Sequence, residues 1–257
     1  MGYVENIVGR RELVRNLVVR HLKLRYKGSA LGFLWSLLNP LAMVLTYVVV
    51  FSMILRMDVP NYPVFLLCGL IPWRFFSLGV MGTVGAIVHN RPLVTKVYFP
   101  REILPLSRVL SDTVSLLIEL LILFVFIIVY DIALTGAIAL VPIIIVLNII
   151  FVYGLALIVS SLYVFLRDVN QITEIVMNIG FFLTPILYDV SRIPPRFLPY
   201  YSLNPMVGFV TLYKKVLYYG QMPTSTELGL TFGLSVFTLL AGYAIFYHLE
   251  PRFAEEV

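Results

Sequence analysis

The stretch "LVPIIIVLNIIFVYGLALIVSSLYVF", residues 140–165, contains no charged residue over its whole length. A helix of about 20 apolar residues is long enough to cross the hydrocarbon core of a bilayer. The rest of the chain has the same character, since 60% of its 257 residues are hydrophobic, only 13% are charged and the mean hydropathy is +0.93. The sequence therefore predicts a membrane protein.

Other apolar stretches of spanning length lie on both sides of this one, and we predict an all-α polytopic fold with six transmembrane helices. The predicted spans are 31–55, 64–88, 106–130, 140–165, 172–187 and 228–247. The fifth is short and contains Gly180 and Pro185, so we expect its helix to tilt or break. Together the spans form a transmembrane domain over residues 30–250, which a cytoplasmic tail, 251–257, follows.

The distribution of Lys and Arg predicts the orientation of these spans. Of the 19 cationic residues, thirteen lie in segments on the side of the N-terminus, five lie on the opposite side, and Arg74 lies inside the second span. Because cations are enriched in cytoplasmic loops, both termini are expected to face the cytoplasm. Counting residues 204–218 as a seventh span would instead place the C-terminus outside.

Two segments outside the spans have helical patterns of their own. Residues 1–29 alternate apolar and cationic side chains at helical spacing, which predicts an amphipathic helix in the cytoplasmic headgroup plane. In the outer segment, about 189–223, Asn204 and Pro205 form a helix start and Gly220 a helix end. This helix of about 14 residues is too short to span, so it is either re-entrant or lies on the outer surface.

The loop "HNRPLVTKVYFPRE", residues 89–102, predicts a short cytoplasmic helix over about 90–100. Asn90 is placed to cap it, Pro92 fits its first turn and Pro100 stops it. Its apolar face has two interpretations, a docking surface for a partner or an ordinary interfacial loop whose aromatic residues contact lipid. The residues of that face are Leu93, Val94, Val97 and Tyr98.

The sequence has no phosphate-binding loop, no C-x-x-C pair and no H-E-x-x-H motif. We therefore predict no catalytic residues, no metal site and no cofactor in this chain. If the protein transports a solute against a gradient, the energy must come from an ion gradient or from another polypeptide.

Charged residues also lie within predicted spans, where a charge costs about 2.5 to 3.5 kcal/mol or more. Glu119 lies near the middle of the third span with Asp112 seven residues earlier on the same face, and Arg74 lies toward the outer third of the second span. Arg74 and Glu119 either tie helices together or line a path, although their depths are expected to differ. A proton-coupling role for Glu119 is a further alternative.

Many aromatic residues cluster toward the outer side of the chain. An aromatic belt at the lipid interface explains most of them, but a path for carbohydrate would also be lined with aromatic rings. The residues that we consider for such a path are Arg74, Glu119, Phe181, Phe182, Tyr200 and Tyr201.

Several motifs together resemble those of the ABC-2-type permeases that export bacterial surface polysaccharides such as O-antigen, capsule and teichoic acid. The motifs are "RYKGSALGFLWSLLNPL" at 25–41, "GLIPWRFF" at 69–76, "FLRDVNQI" at 165–172 and "TPILYD" at 184–189. They occur in the family's order across nearly the whole chain.

The resemblance implies the permease subunit of an ATP-driven exporter in the bacterial inner membrane, with O-antigen as the expected cargo. It implies a homodimer with two copies of a separate ATP-binding subunit, which holds the MgATP, and no nucleic-acid partner. The helix at 90–100 then corresponds to the family's coupling helix, with Pro92, Leu93, Val94, Val97 and Tyr98 as its contacts.

The cargo that the resemblance implies is a polysaccharide linked to polyprenyl diphosphate. Arg25 and Lys27 are candidates to attract the diphosphate, while their alternative role is to orient the chain and contact anionic lipids. The alternative functions are a capsule or teichoic acid exporter of the same family and, from another class, an ion-coupled secondary transporter that uses Glu119.

Overall fold

The computed structural model describes residues 10–29, 32–54, 59–96, 99–201 and 203–256. The described residues form helices and turns, with no strand among them. The α-helices are α1 (Arg11–Tyr26), α2 (Trp35–Tyr47), α3 (Tyr62–Met81), α4 (Arg91–Lys96), α5 (Ile103–Val129), α6 (Val141–Phe165), α7 (Val169–Phe182), α8 (Leu198–Tyr201), α9 (Pro205–Leu217), α10 (Ser225–Leu249) and α11 (Phe253–Glu256). Short 3₁₀ segments are Gly32–Leu34, Val88–Asn90, Gly136–Leu140, Val190–Arg192, Pro195–Phe197 and Glu250–Arg252, and a π-helical segment, Val48–Ile54, continues α2.

Four helical segments in the described part of the chain are long and apolar enough to cross a membrane. They are Tyr62–Met81, Ile103–Val129, Gly136–Phe165 and Ser225–Glu256, which contain α3, α5, α6 and α10. They correspond to the second, third, fourth and sixth predicted spans. The first predicted span contains a shorter apolar helix, Leu38–Phe51.

The fifth predicted span differs from the structure at both ends. Helix α7 begins at Val169 and ends at Phe182, whereas the prediction ran over 172–187. The early end has a local cause, because Pro185 disfavours helical geometry at the residue before it and has no N–H to continue the helix. The "TPILYD" segment is therefore a connection outside the helix.

Contacts at one end of the molecule bring together elements that are far apart in sequence. Arg20 Nη2 of α1 donates to Asn90 Oδ1, 2.7 Å away, just before α4. Arg101 Nη1 donates to the carbonyl oxygen of Glu250 over 2.5 Å. Phe253 packs against Phe165 at the end of α6. We call this end of the molecule the α4 end. Helices α1 and α11 both lie there.

The opposite end is marked by a cavity whose lining comes from four connections. Residues 59–61 precede α3, 131–132 follow α5, 189–192 follow α7 and 218–219 follow α9. Helices α3 and α5 therefore run in opposite directions between the two ends.

The predicted outer helix exists as α9, and its start and end have the expected chemistry. Asn204 Oδ1 accepts from the N–H of Met206 over 3.1 Å, Pro205 occupies the first turn, and Gly220 has a φ of +62° just beyond the end. Phe209 and Tyr213 are fully buried. Because α9 packs among α3, α6 and α10, it does not lie on the outside of the helix bundle.

Lys214, counted among the outer cations from the sequence, is buried with 4% of its surface exposed. Its Nζ donates to the carbonyl oxygens of Pro185, Ile186 and Tyr188 over 2.5, 3.2 and 3.3 Å. Lys214 therefore fastens the connection after α7 to α9. Carbonyl groups freed by the break at Pro185 accept these bonds, as buried polar groups require.

The predicted amphipathic helix is α1, which packs along α5. Leu17 is buried, and Leu13 and Val14 pack partly buried against the core. The cations Arg11, Arg15, Arg20 and Lys23 lie on its exposed side. The helical spacing of its apolar residues thus predicted the buried face correctly.

Candidate functional site

Charged side chains from three helices meet inside the bundle. Arg108, Asp112 and Glu119 come from α5, Arg25 from the end of α1 and Arg74 from α3. Asp112 and Glu119 lie seven residues apart, which is close to two helical turns, so they share one face as predicted. That face points inward, since Asp112 is 1% and Glu119 4% exposed. We call these five residues the arginine cluster.

Asp112 is held by two guanidinium groups. Arg25 forms an ion pair with Asp112 Oδ1 and also donates from Nη1 to Ser115 Oγ over 2.8 Å. Arg108 Nε lies 3.2 Å from Asp112 Oδ2. A buried carboxylate needs such partners, because unpaired charge in an apolar interior is strongly disfavoured.

Arg74 and Glu119 form the third ion pair of the arginine cluster. Arg74 Nε donates to Glu119 Oε1 over 3.3 Å, and its Nη1 lies 3.1 Å from Met43 Sδ of α2. The pair is therefore present, and the expectation that the two groups lie at different depths is wrong. Arg74 on α3 and Glu119 on α5 are about equally far along their helices from the end opposite α4.

Four of the five residues of the arginine cluster, all except Asp112, line a cavity of about 340 Å³. The cluster as a whole has three guanidinium groups and two carboxylates, so its formal charge is +1. Guanidinium groups bind phosphate oxygens in a bidentate geometry, so the cavity suits an anion with several oxygens. The lining residues are Arg25, Trp35, Asn39, Arg74, Leu78, Arg108, Ser115 and Glu119.

A second cavity of about 390 Å³ adjoins the first and shares Arg74 and Leu78 with it. Aromatic rings dominate its lining: the Phe181 ring stacks on Tyr47 at 6.1 Å and meets Trp73 edge-on at 6.0 Å. The remaining lining residues are Met43, Leu70, Ser77, Met177, Asn178 and Phe182. We call the two cavities together the groove; it is cationic in one half and aromatic in the other.

The aromatic residues predicted for a path divide between two locations. Phe181 and Phe182 line the groove. Tyr200 is 71% exposed on α8, and the hydroxyl of Tyr201 lies 2.7 Å from that of Tyr188. Neither tyrosine lines the groove, because the break after α7 leads the chain away before α8 begins.

Arg25 and Lys27, predicted together as the diphosphate contacts, lie in different places. Arg25 reaches into the groove, whereas Lys27 lines a separate surface cavity of about 590 Å³ along the exposed side of α1, with Arg20 and Lys23. Only Tyr26 separates Arg25 from Lys27, and α1 ends at that residue. The two cations, predicted as one site, therefore line different cavities, and only Arg25 lies in the groove.

The predicted coupling helix contains α4, which follows a 3₁₀ turn; residues 97–98 lie outside the described part of the chain, and Phe99 and Pro100 are not helical. Asn90 does not act as the predicted cap: its amide donates to the Ala86 carbonyl over 2.8 Å, and its Oδ1 accepts from Arg20. The hydrogen bond from Arg20 of α1 thus occupies Asn90 Oδ1, which is the acceptor atom that an N-cap would use.

The apolar face of α4 is turned toward the protein. Val94 is buried with 4% exposed and Leu93 packs partly buried on the core, while Pro92 is exposed. Leu93 and Val94, two of the predicted docking contacts, therefore pack against the protein. The predicted contacts Val97 and Tyr98 lie outside the described residues. The exposed residues of α4 are Arg91, Pro92, Thr95 and Lys96.

His21 lies next to the arginine cluster on α1. Its Nε2 is 3.4 Å from Ser107 Oγ of α5. Burial, together with the nearby cations Arg108 and Arg20, lowers the pKa of His21 to about 4. A neutral imidazole is therefore favoured at this position at neutral pH.

Sequence reasoning missed several lining residues of the groove, among them Tyr47, Trp73, Arg108 and Asn178. One signal for Arg108 was available, because it stands four residues before Asp112 and so on the same face of a helix. No comparable signal marks Tyr47 or Asn178, whose positions depend on how α2 and α7 pack against α3.

The chain matches the model of the ABC-2 type transporter family over residues 12–218. It is 36% identical over 249 residues to the O-antigen export system permease protein RfbA of Myxococcus xanthus, with 96% of each chain covered. It is 31% identical over 239 residues to RfbA of Klebsiella pneumoniae, covering 92% of this chain and 91% of the relative. It is 27% identical over 246 residues to the polysialic acid transport protein KpsM of Escherichia coli, with 91% and 92% covered.

Proposed function

The chain belongs to the ABC-2 type transporter family, and we propose that it is the permease of an exporter that moves a polysaccharide linked to polyprenyl diphosphate across the bacterial inner membrane. The observation that supports this function is the groove, in which a cationic cavity adjoins an aromatic one. A lipid-linked glycan combines the same two chemistries, since it has an anionic diphosphate next to sugar rings.

The arginine cluster is the proposed contact for the diphosphate. Arg25, Arg74 and Arg108 have donors in the geometry that phosphate oxygens accept. In this structure Asp112 and Glu119 occupy those guanidinium groups. An incoming diphosphate would compete with the carboxylates, and the buried carboxylates keep the arginines in place between transport cycles.

The aromatic half of the groove is the proposed contact for the first sugars. Aromatic rings present faces on which the C–H surface of a sugar packs. Trp73, Phe181 and Phe182 provide such surfaces, and Ser77 and Asn178 add groups that bond to hydroxyls. Contacts of this kind tolerate different sugars, which suits repeated passage of polymer units.

Energy for export comes from a separate ATP-binding subunit, because exporters of this family pair a permease with one. We propose a permease homodimer with two ATP-binding subunits, each holding MgATP. The proposed docking site is α4, through its exposed residues Arg91, Pro92, Thr95 and Lys96. Helix α4 contacts α11. A displacement of α4 would therefore reach the transmembrane helices through the C-terminal segment of the chain.

Six membrane crossings with both termini in the cytoplasm agree with the path between the two ends of the molecule. Helix α1 lies at the α4 end, residues 59–61 lie at the opposite end, and Asn90 is again at the α4 end. The chain then passes through residues 131–132, Phe165, residues 189–192 and Glu250, alternating between the ends. Under this proposal α2 and α7 cross despite their shorter apolar helices.

O-antigen is the cargo that the relatives favour. The identity to the O-antigen permeases is 31 to 36%, whereas it is 27% to KpsM and 22% to the capsule polysaccharide export inner-membrane protein CtrC of Neisseria meningitidis. A capsule exporter is the second candidate, supported by those more distant relatives.

Reconstitution tests the proposal. The permease and its ATP-binding subunit are placed in proteoliposomes, and ATP hydrolysis is measured with and without lipid-linked O-polysaccharide. We expect stimulation in the wild type and its loss in Arg25→Gln and Arg108→Gln, while Arg11→Gln, an exposed arginine on the same α1, serves as the matched control. Transport that needs a proton gradient and ignores ATP would instead support the ion-coupled transporter.

A further inference from the structure

The cavity at the end opposite α4 has a polar lining that the groove does not explain. Its volume is about 670 Å³, and it shares no lining residue with either half of the groove. Its described lining consists of Val59, Pro60, Asn61, Asp131, Ile132, Asp189, Ser191, Arg192, Tyr218 and Tyr219. Four separate connections contribute to it, so its shape depends on the folded bundle.

Hydrogen bonds fix part of the cavity lining. Tyr219 donates its hydroxyl to Asp189 Oδ2 over 2.5 Å, and the N–H of Ser191 donates to Asp189 Oδ1 over 2.8 Å. Tyr218 donates to the carbonyl of Pro60 over 2.5 Å, and the rings of Tyr218 and Tyr219 meet edge-on at 4.8 Å. Partial burial would raise the pKa of Asp189, but the hydrogen bonds from Tyr219 and Ser191 outweigh it and hold that pKa below its ordinary value.

The cavity lining also includes two charged side chains outside the ion pairs. Within the described part of the chain, the ion pairs involve neither Asp131 nor Arg192, and both side chains are exposed. The described residues also contain no group of three or more His, Cys, Asp or Glu that would hold a metal ion. One carboxylate and one guanidinium of the lining are thus accessible to a ligand, together with the two tyrosine rings.

Two lining residues have an uncommon backbone conformation. Asn61 and Asp131, with φ of +47° and +51°, are the two non-glycine residues with positive φ among the described residues, and both line this cavity. Asn and Asp adopt positive φ more readily than other non-glycine residues. Glycine would also fit both positions, but it would remove the amide and the carboxylate that face the cavity.

We propose that this cavity binds the hydroxyl groups and ring faces of a glycan chain as it leaves the permease, a site that rests on the proposed export function. Carboxylate and amide oxygens accept hydrogen bonds from sugar hydroxyls, and a guanidinium donates to them. The tyrosine rings offer stacking surfaces. Because the cavity lies at the end away from α4, it meets the polymer after the groove.

A binding experiment on the assembled complex tests the site. The probe is the source strain's own polysaccharide, freed from lipid by mild acid and labelled with fluorescein, and its dissociation constant is measured on the permease–ATPase complex in nanodiscs. We expect Asp131→Asn and Arg192→Gln each to weaken binding about tenfold, because a hydrogen bond to a charged group is stronger by about that factor than one to a neutral amide. Asp131→Asn retains a residue type that tolerates the positive φ.

The matched control is Asp168→Asn, which removes an exposed carboxylate from the connection between α6 and α7, away from this cavity; it should bind as the wild type does. If dextran of equal length binds the wild type and the same two variants weaken its binding, that result would also support a site for hydroxyl-rich chains. If both cavity variants bind the probe like the wild type while lipid-linked polysaccharide still stimulates ATP hydrolysis, this site is wrong and the export function stands. If the wild type shows no stimulation, the export function itself fails.

Discussion

Asp112 and Glu119 illustrate, at the scale of single residues, how charge is kept inside an apolar helix. Each is almost fully buried and each contacts arginine from a neighbouring helix. The two contacts tie α1 and α3 to α5, and they also hold the guanidinium groups in the groove. Under the proposed function, structure and transport make competing demands on the same residues, and substitutions can separate them.

Glu119→Gln removes the anionic partner of Arg74 and should destabilise the permease. The expected loss is about 2 kcal/mol, less than the 3 to 5 kcal/mol of a fully buried pair, because Arg74 keeps 20% of its side chain exposed. The measurement is thermal unfolding of the purified protein. The double variant Arg74→Met/Glu119→Leu should recover most of the stability, since no charge is left unpaired.

The same double variant decides whether the pair only ties helices together. If Arg74 contacts the diphosphate, the stable double variant should still lose stimulation of ATP hydrolysis by the lipid-linked glycan. Full stimulation in the double variant would show that the pair is a structural tie and that the groove uses other residues.

Residue pairs could be predicted from the sequence only where helix geometry fixed them. Asp112 and Glu119 share a face because of their spacing, and two opposite charges in hydrocarbon require each other. The separation of Arg25 from Lys27 was not predictable, because it depends on where α1 ends and on how α1 docks against α5. Nothing within α1 itself specifies that docking.

At the scale of elements, the seam between α1 and α5 contains a titrating group. His21 faces Ser107, Arg108 and Asp112 of α5, with Arg20 and Arg25 on its own helix. Its pKa is about 4 in the folded protein, against 6.5 for the unperturbed side chain. Between pH 4 and 6.5, His21 binds a proton when α1 is detached from α5 but not when α1 is docked. Docking of α1 therefore weakens as the pH falls from 6.5 toward 4.

Hydrogen exchange of α1 amides checks this dependence. After correction for intrinsic exchange rates, we expect less protection at pH 5 than at pH 7.5 in the wild type, and a smaller difference in His21→Gln. His248→Gln, which alters an exposed histidine on α10, should leave the wild-type difference in place. Equal protection of α1 at both pH values would contradict the prediction.

Helices α6 and α10 approach each other at glycine. A Cβ added to Gly154 would lie 2.6 Å from the carbonyl carbon and oxygen of Thr238, which are backbone atoms that cannot rotate away. Small residues permit such close packing of membrane helices. The sequence shows Gly154 but not its contact with Thr238, because α6 and α10 lie far apart in the chain.

Gly154→Ala should therefore force α6 and α10 apart and destabilise the permease by about 1 to 3 kcal/mol. Gly233→Ala on α10 is the matched control: a Cβ there meets nothing within 4 Å, and alanine favours helix by about 1 kcal/mol. Thermal unfolding of both variants measures the difference. Equal unfolding midpoints would mean that the helices adjust without cost.

The irregular elements show where pattern reasoning reached its limit. Long apolar runs gave α5, α6 and α10 with boundaries within about three residues of those predicted, because hydropathy reports directly on burial in lipid or protein. Helix α3 ends at Met81, seven residues before the predicted end of the second span. Helix α2, with Pro40 inside it and a π-helical continuation, and α7, stopped before Pro185, depart from regular helix. Their geometry depends on neighbouring helices that satisfy the freed backbone groups.

At the scale of the whole molecule, the proposed function requires that the two ends face opposite sides of the membrane. The α4 end must reach the ATP-binding subunit in the cytoplasm, and the cavity opposite α4 must open outside. The hydropathy pattern and the cation distribution both predict this orientation. A seven-span topology, with α9 crossing, would instead place α11 outside.

Labelling of single cysteines with a membrane-impermeant maleimide distinguishes these topologies. Cys68, the sole cysteine of the chain, is fully buried and is first replaced by alanine. Cysteine is then introduced at Gln221, Thr95 or Glu255, which are exposed positions next to α9, on α4 and on α11. In spheroplasts we expect Gln221→Cys to react at once, and Thr95→Cys and Glu255→Cys to react only after permeabilisation. Reaction of Glu255→Cys in intact spheroplasts would overturn the six-span proposal. It would also overturn the placement of the contact between α4 and α11 in the cytoplasm.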